Sequence, residues 1–577
     1  MAAWTPGSYL VREYARNIRS LRAEVDGLPA DCSKHSKDTW RIAALPGQRV
    51  RVDYSVYAHE LSVRTAHHDA THAFLHPAQI FLIPTSVPGP FKVELDLPSG
   101  WQAVSLAAGS ETRGPGRFAV ELPDLDTLLD TPIEAGELTI CHLAAPCEHV
   151  RVAVWGEPLP ALVLARLVPV ITQVEATWPT RPYATYTFVI HAVLGAAGGL
   201  EHLHGSVLGV DPERFAPAVR RATAPEPATG EPGDADDGVL DFLELAAHEL
   251  FHAWNGKRLR PAALGPFDYH RENHTRELWL VEGLTSYYDR LLVLRSGQMP
   301  VATFLKRLGE DLARLAAVPG RHQQSLAEAS FDAWIKLYRP QDDSPNASVS
   351  YYLKGSLVGL LIDLWLRSER PESDGLDDVM ATLWRRASEH LDWSIPAQKI
   401  YTYPGYETKD FIQALTERAG APPPAWLRAG WERPGELDLS TGLAAVGLHL
   451  TEKPGEPGAL ELGLVLQDRG GALWVQHVLA GTPAEAAGVA PGDELLAARP
   501  VGGPWLRLRA TRAQRVWDQL RPEQPVELLL VRRERVLEVG LSFAPARGVP
   551  RIERLAEAPE LARTNFHRWT RRSWNDS

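Results

Sequence analysis

The sequence predicts a multidomain α+β protein with a β-rich amino-terminal domain, a mainly helical centre and a second β-rich domain near the carboxyl end. Three observations predict this. Up to about residue 158, short runs rich in β-branched and aromatic residues alternate with Gly and Pro; Arg49 to Tyr57, Gln79 to Leu82, Phe91 to Leu97, Gly116 to Leu122 and His149 to Val154 read as strands. Through the centre, apolar residues recur at the three- and four-residue spacing of buried helical faces. From about Leu443 strand patterns return. A chain of 577 residues exceeds one ordinary core. The expected boundaries are 1–158, 159–435 and 440–546, with a polar tail over 547–577.

Composition narrows the class. Hydrophobic content of 45% and charged content of 23% are those of an ordinary globular protein. The formal net charge is −12, with no long basic run, which argues against nucleic-acid binding. The three cysteines, Cys32, Cys141 and Cys147, form no CxxC pair, so a reducing compartment is expected. No apolar run reaches 18 residues, so no membrane span is expected. The opening Met1-Ala2-Ala3-Trp4 has no basic region followed by an apolar one, so no signal peptide is read and a cytoplasmic location is expected. Three Met against eighteen Trp, amid abundant Ala, Arg and Pro, suit a bacterial, GC-rich source.

In chain order, His67, His68 and His72 cluster without a Cys or acidic pattern beside them, and are expected in an exposed polar turn rather than a second metal site. A helix is predicted from Leu162 to Trp178 and a strand from Tyr183 to Val193. After the strand come Gly198 and Gly199, then Glu201; such glycines let another backbone approach closely, although a tight turn explains them as well. Thr223 to Gly238, rich in Pro, Gly and acids, is expected to be a surface loop.

The next stretch, Asp241 to Trp254, organises the centre. Leu243, Ala246, Ala247, Leu250, Phe251 and Trp254 mark a buried helical face. Within it stands His248-Glu249-Leu250-Phe251-His252. Residues four apart on a helix lie one above the other, so His248 and His252 can aim two imidazoles at one point, as a zinc ion needs. Glu249 can then face the metal's water as a general base. A second helix is predicted from Arg276 to Arg295. Its Glu282 sits among Leu280, Val281 and Leu284, and a buried carboxylate needs a partner. A zinc ion held by two His is that partner, since two His plus one Glu leave the fourth position for water. Ser286, one turn on, could hydrogen-bond a ligand.

Val301 to Ala317 reads as an amphipathic helix, and Pro319 to Ser350 as a long irregular polar section. Tyr351-Tyr352-Leu353-Lys354-Gly355 opens a strongly apolar helix. Farther on, Gly481-Thr482-Pro483 through Val489-Ala490-Pro491-Gly492-Asp493 is a short helix and turn feeding a strand. With Leu462 to Leu466, a helix from Thr511 to Leu520 and a hairpin from Val526 to Phe543, it resembles a PDZ domain of the bacterial type, in which a peptide adds to the sheet edge.

Taken together these pieces resemble the M61 family of metallopeptidases, the glycyl aminopeptidases with a C-terminal PDZ domain. The resemblance rests on Trp4-Thr5-Pro6-Gly7-Ser8-Tyr9-Leu10-Val11-Arg12-Glu13-Tyr14, on Gly198 to His202, on His248 to His252, on Leu278 to Tyr288 and on Tyr351 to Gly355, in that order. Members of the family carry more chain ahead of the Trp-Thr-Pro-Gly hallmark than this sequence does. The resemblance implies a thermolysin-like catalytic domain between the β-rich domain and the PDZ domain. It implies one Zn2+ per chain on His248, His252 and Glu282, with Glu249 as general base and then acid. By similarity to M1 aminopeptidases, Tyr352, two residues before the Lys of Tyr-x-Lys-Gly, would bind the oxyanion. Glu201 would bind the substrate's α-ammonium, with Gly198 and Gly199 along the substrate backbone.

The reading is therefore a zinc aminopeptidase that removes Gly or Ala from peptides, the residue preference coming from the family. Its partners are a peptide substrate and a peptide ligand of the PDZ domain. The alternatives are an endopeptidase that captures chain ends through the PDZ domain, and a PDZ binding protein with an inert peptidase-like body.

Overall fold

The computed structural model describes residues 1–85, 87, 89–107, 111–114, 116–223, 233–389, 404–453, 458–520, 524–544 and 548–576. The chain divides into two compact units. One comprises Met1–Pro300 and Leu376–Pro422, the other Val301–Gly375 and Pro423–Ser577. The amino-terminal region is β-rich and the middle helical, as expected.

In the first unit, Ile18–Val25 pairs with Leu28–Ala30 and Val50–Val56. A five-stranded sheet runs in the order Gln102–Ser105, Ile133–Gly136, His72–Leu75, Thr65–His68, His59–Ser62. The expected strand at Gln79 is instead a short helix, Pro77–Ile80. Pro77 sets its first turn, where a missing N–H costs nothing. Gln79 is buried and its Oε1 accepts from the Ala66 N–H at 2.7 Å.

A second five-stranded sheet positions the site. Its strands are β1 (Thr139–His142), β2 (Val150–Gly156), β3 (Tyr186–Ala192), β4 (Gly198–His202) and β5 (Gly205–Val210), in the order β1-β2-β3-β5-β4. β2, β3 and β5 are parallel, while β1 and β4 run antiparallel at the two edges. The parallel step from β2 to β3 needs a crossover, supplied by helix α1 (Ala161–Ala176). Every residue of β3 and β5 is buried, as expected of strands covered on both faces.

Helix α2 (Gly233–Phe251) packs on β4 and β5 and against helix α3 (Leu284–Arg295). It starts earlier than the apolar pattern does, so residues 233–238 are helix rather than loop. The rest of that expected loop, residues 224–232, lies outside the described residues. Phe251 stacks on Tyr288 with centroids 4.7 Å apart, joining α2 to α3. Trp178 stacks flat on Trp254 at 5.6 Å.

In the second unit, the helix Leu353–Glu369 packs on Val301–Ala316, Ala425–Glu432 and Ser440–Ala445. The section from Pro319 to Ser350 is more regular than its composition suggests. It holds a helix, Leu326–Phe331, started by a reciprocal cap between Ser325 and Glu328. The carboxyl-terminal strands form a sheet ordered β6 (Leu464–Arg469), β7 (Ala472–Val478), β8 (Glu494–Pro500), β9 (Val526–Arg532) and β10 (Arg535–Leu541). Leu464, Val475, Leu495, Leu528, Leu530 and Trp517 are in its core. In the tail, Val549–Arg554 pairs with Leu448–Lys453, and Glu560–Thr570 is a helix burying Phe566 and Trp569. Among the described residues no helix is long and apolar enough to cross a membrane.

Candidate metal centre

His248 stands near the end of α2 and His252 in the turn just beyond it, one helical turn away. Their Nε2 atoms are 3.1 Å apart. Glu282 is delivered by a π-helical turn, Trp279–Gly283, at the head of α3. Such single wide turns recur at functional sites, and periodicity alone does not foresee them. Glu282 Oε2 lies 3.1 Å from His252 Nε2 and 3.5 Å from His248 Nε2. All three residues are largely buried, Glu282 at 2% exposure.

The outer nitrogens fix these imidazoles. His252 Nδ1 donates to the Asn255 carbonyl at 2.8 Å. With its proton on Nδ1, the neutral ring turns a lone pair inward from Nε2. His248 Nδ1 is 3.0 Å from Asp289 Oδ2. The role proposed for Ser286 thus falls to Asp289. Asn255 in turn donates from Nδ2 to the carbonyls of Leu280 and Val281, at 2.9 Å each, locking the turn after α2 onto the π turn. Burial would lower the pKa of His248, but its bonds to Asp289 and Glu282 raise it well above the ordinary imidazole value. Burial would raise that of Glu282, but the charge of His252 and bonds to both imidazoles hold it down, to about 2.

Glu249 lies beside this group, on the face of α2 that meets β4. It is buried, and its Oε2 has no hydrogen-bond partner among the described residues. Burial pushes its carboxyl up to about 7, against the pull of His248 and His252. Gly199 makes room for it: a β-carbon there would collide with the Glu249 carboxylate. Gly198 holds φ of +97°, a conformation that favours glycine. Arg64, which sequence reasoning did not single out, donates from Nη2 to the Gly199 carbonyl at 2.9 Å.

Glu201 follows Gly199 by two residues on β4, so the two share a face of the strand. Glu201 is buried at 8% exposure, with Lys257 Nζ 3.8 Å from its Oε1. Lys257 also donates to Asp130 Oδ1 at 2.8 Å. Asp130 further accepts from the Leu203 N–H at 2.8 Å and lies 3.2 Å from His202 Nδ1. Burial would raise its pKa, but Lys257 and His202 hold it far below the usual carboxylate range. Gly7, at φ +83°, packs directly on the Glu201 carboxylate.

Tyr352 falls in the second unit, immediately before the helix Leu353–Glu369. Its ring stacks on Tyr351 at 4.8 Å and its hydroxyl is 3.2 Å from that of Tyr338. Lys354 is buried and donates to the Gly435 carbonyl at 3.1 Å.

Comparison with known proteins bears on the same residues. Residues 241–358, which include both His, Glu249, Glu282 and Tyr352, match the family model described as M61 glycyl aminopeptidase. Residues 1–137 match the Peptidase M61 N-terminal domain. These matches support a hydrolytic peptidase. A search of curated proteins found no match. Among solved structures, an aminopeptidase N family protein from Idiomarina loihiensis superposes with a TM-score of 0.85 at 26% identity, over 98% of this chain and 94% of that one. An M1 zinc metallopeptidase from Deinococcus radiodurans gives 0.44 at 15% identity, over 75% of this chain and 93% of that one.

The donor set of the M61-matched segment fits a zinc ion. Two inward Nε2 lone pairs and a carboxylate oxygen repel one another unless a cation or proton lies between them. Bond lengths near 2.0–2.1 Å imply ligand atoms about 3.3 Å apart in a tetrahedron. The observed 3.1, 3.1 and 3.5 Å lie close to that.

A second convergent group, His72, Glu134 and His191, is fully buried; His72 and Glu134 stand on paired strands of one sheet and His191 on β3 of the other. This corrects the expectation of an exposed turn, because His67 and His72 are both buried on strands and only His68 is exposed. Here the carboxylate is spent on hydrogen bonds. Glu134 Oε1 meets His72 Nε2, and Oε2 meets His191 Nε2 at 3.1 Å. His72 Nδ1 is also taken, 3.1 Å from His67 Nδ1, and Trp155 stacks on the His72 ring at 3.8 Å. Glu134 and His191 carry no local signal that pairs them, lying 57 residues apart.

Proposed function

We propose that this protein is a zinc-dependent aminopeptidase that removes small amino-terminal residues, Gly or Ala, from peptides. The observation that carries the reading is the convergence of His248, His252 and Glu282 beside the buried, unpartnered Oε2 of Glu249. His248, His252 and Glu282 would hold one Zn2+ per chain, in the gluzincin manner. When bound, zinc supplies Lewis acidity, which polarises a carbonyl and eases ionisation of water.

The chain's own residues supply the rest. Glu249 takes a proton from the attacking water and passes it to the leaving amine. Its buried carboxylate, with Oε2 unpartnered among the described residues, is placed for both transfers. Asp289 and Asn255 keep the two imidazoles aimed inward. The substrate backbone runs along β4, an edge strand, where Gly198 and Gly199 permit close approach. Glu201 receives the free α-ammonium. On one face of one strand, Gly199 at the base and Glu201 at the amine stand two residues apart, about 7 Å. That leaves room for a single residue between the amine and the bond to be cut. Tyr352 is assigned the hydrogen bond to the developing oxyanion.

The carboxyl-terminal sheet is read as a PDZ domain over 440–546, following domains over 1–158 and 159–435 and preceding a tail over 547–577. Its edge strand β6 would take a peptide ligand by strand addition. The decisive experiment combines metal analysis with glycyl and alanyl reporter substrates, with and without a chelator. Chelation abolishes turnover and zinc restores it. Cleavage of amino-blocked peptides as fast as free ones would replace the aminopeptidase reading with an endopeptidase.

A further inference from the structure

We propose that Asp130 holds the Lys257 ammonium off Glu201 and so keeps that carboxylate open to the substrate's α-ammonium, making Asp130 and Lys257 positioning residues for substrate binding. The proposal rests on the aminopeptidase reading and deepens it.

Lys257 is buried and faces two carboxylates. Its Nζ donates to Asp130 Oδ1 at 2.8 Å, while Glu201 Oε1 stands 3.8 Å away, beyond hydrogen-bond distance. Burial works against the lysine's charge, but Asp130 first and then Glu201 raise its pKa, so the ammonium keeps its proton. Of these three charges one negative is left over, and it lies on Glu201. A lysine ammonium and a peptide's α-ammonium are chemically alike. Either one satisfies a buried carboxylate, and two cations on the same carboxylate repel each other. A lysine this close to an amine-binding group is therefore a competitor unless something restrains it.

The fold supplies the restraint. Asp130 is buried, its Oδ2 accepts the Leu203 N–H at 2.8 Å, and its Oδ1 lies 3.2 Å from His202 Nδ1. His202 ends β4 and Leu203 follows it, so Asp130 is fastened to the strand end that carries Glu201. The lysine is anchored at its other end, where its backbone N–H donates to the His252 carbonyl at 3.1 Å. Glu201 does not close the gap itself, because Gly7 packs on both its carboxylate oxygens. The four-carbon lysine stem is the part able to swing, and its bond to Asp130 decides where it points.

Asp130→Asn tests this. The amide oxygen keeps the Leu203 N–H, which puts the NH2 group where Oδ1 was, and an NH2 group cannot accept from Lys257. The ammonium then turns to Glu201. On the zinc-loaded full chain, KM for glycyl reporters is expected to rise at least about tenfold, the low end of a hydrogen bond to a charged group. Turnover number and zinc content should change little. KM does not depend on the fraction of protein folded, so partial unfolding does not imitate the effect. Should Asp130→Asn not fold at all, Lys257→Arg gives a second reading: its planar fork keeps the charge and reaches both carboxylates, so KM should again rise. Asp130→Asn with Lys257→Met removes both charges and leaves an unbranched apolar chain of similar length. That pair should return KM to within about twofold of the wild type. In a Glu201→Ala background nothing is left to compete for, and Asp130→Asn should raise KM no further. Wild-type KM in both Asp130→Asn and Lys257→Arg, a double variant no better than Asp130→Asn, or a further rise in the Glu201→Ala background would each overturn the restraint while leaving the aminopeptidase reading intact. A wild type that cleaves amino-blocked peptides as fast as free ones would overturn both.

Discussion

Gly7 and Glu201 are 194 residues apart in sequence, yet a β-carbon built on Gly7 would stand 2.5 Å from both Glu201 carboxylate oxygens. The first turn of the chain is moulded to the group proposed to hold the substrate's amine. Gly7 also holds φ of +83°, which costs an L-residue about 1–2 kcal/mol. Gly7→Ala is therefore expected to displace Glu201. Turnover of aminoacyl substrates should fall at least tenfold, chiefly through KM, with zinc content unchanged. Steady-state kinetics beside metal analysis checks it.

The amine-binding role proposed for Glu201 predicts selectivity in what is lost. Glu201→Ala should cost aminoacyl substrates about 1.5–3 kcal/mol of transition-state binding, the range of a hydrogen bond to a charged group. Any turnover of amino-blocked peptides should fall far less. Equal losses on both would refute the role.

Glu249→Gln keeps shape and volume but cannot take a proton. Turnover should fall by about 10²–10⁴-fold with zinc still bound. Zinc content by metal analysis and kcat on glycyl reporters give the answer together. An unchanged kcat would remove Glu249 from the mechanism.

Asp289 touches His248 from outside and is placed to orient it. Removing such a partner weakens metal affinity by about 10–100-fold. Asp289→Asn should therefore release zinc at lower chelator concentration. The glycyl activity should return when excess zinc is added, which a folding defect would not allow.

Asp130 supplies a pH prediction. Its folded pKa lies below the usual carboxylate value, because Lys257 and His202 outweigh the effect of burial. A depressed folded pKa contributes stability that is present above the unfolded pKa of about 3.9 and lost as pH falls through the folded value. The Tm gap between the wild type and Asp130→Asn should be full above about pH 4 and close below it. A gap that widens with acid would contradict the network.

The candidate metal-ligand pattern was legible because it is local. His248, Glu249 and His252 fall within one helical turn, and an acid among apolar neighbours marked Glu282 as needing a partner. The alternation of short β-rich runs likewise announced most amino-terminal strands, and helical spacing announced α1, α2 and α3. Where a single residue type decided the local structure, the pattern misled. Pro77 turned an expected strand into a helix, and helix α2 reached back to Gly233 through a stretch that looked like loop.

The sequence by itself thus determined the candidate metal-ligand pattern, the candidate base and the order of β-rich, helical and β-rich regions, since each depends on neighbours within a few residues. Tertiary structure alone decided what surrounds them. Asp289 on His248, Lys257 bridging Glu201 to Asp130, the buried His72–Glu134–His191 group and the Trp4–Gly7 turn over Glu201 are pairings between distant segments. No spacing rule encodes them. They arise because buried charges must find partners and packed surfaces must exclude one another, and only the folded chain says which groups meet.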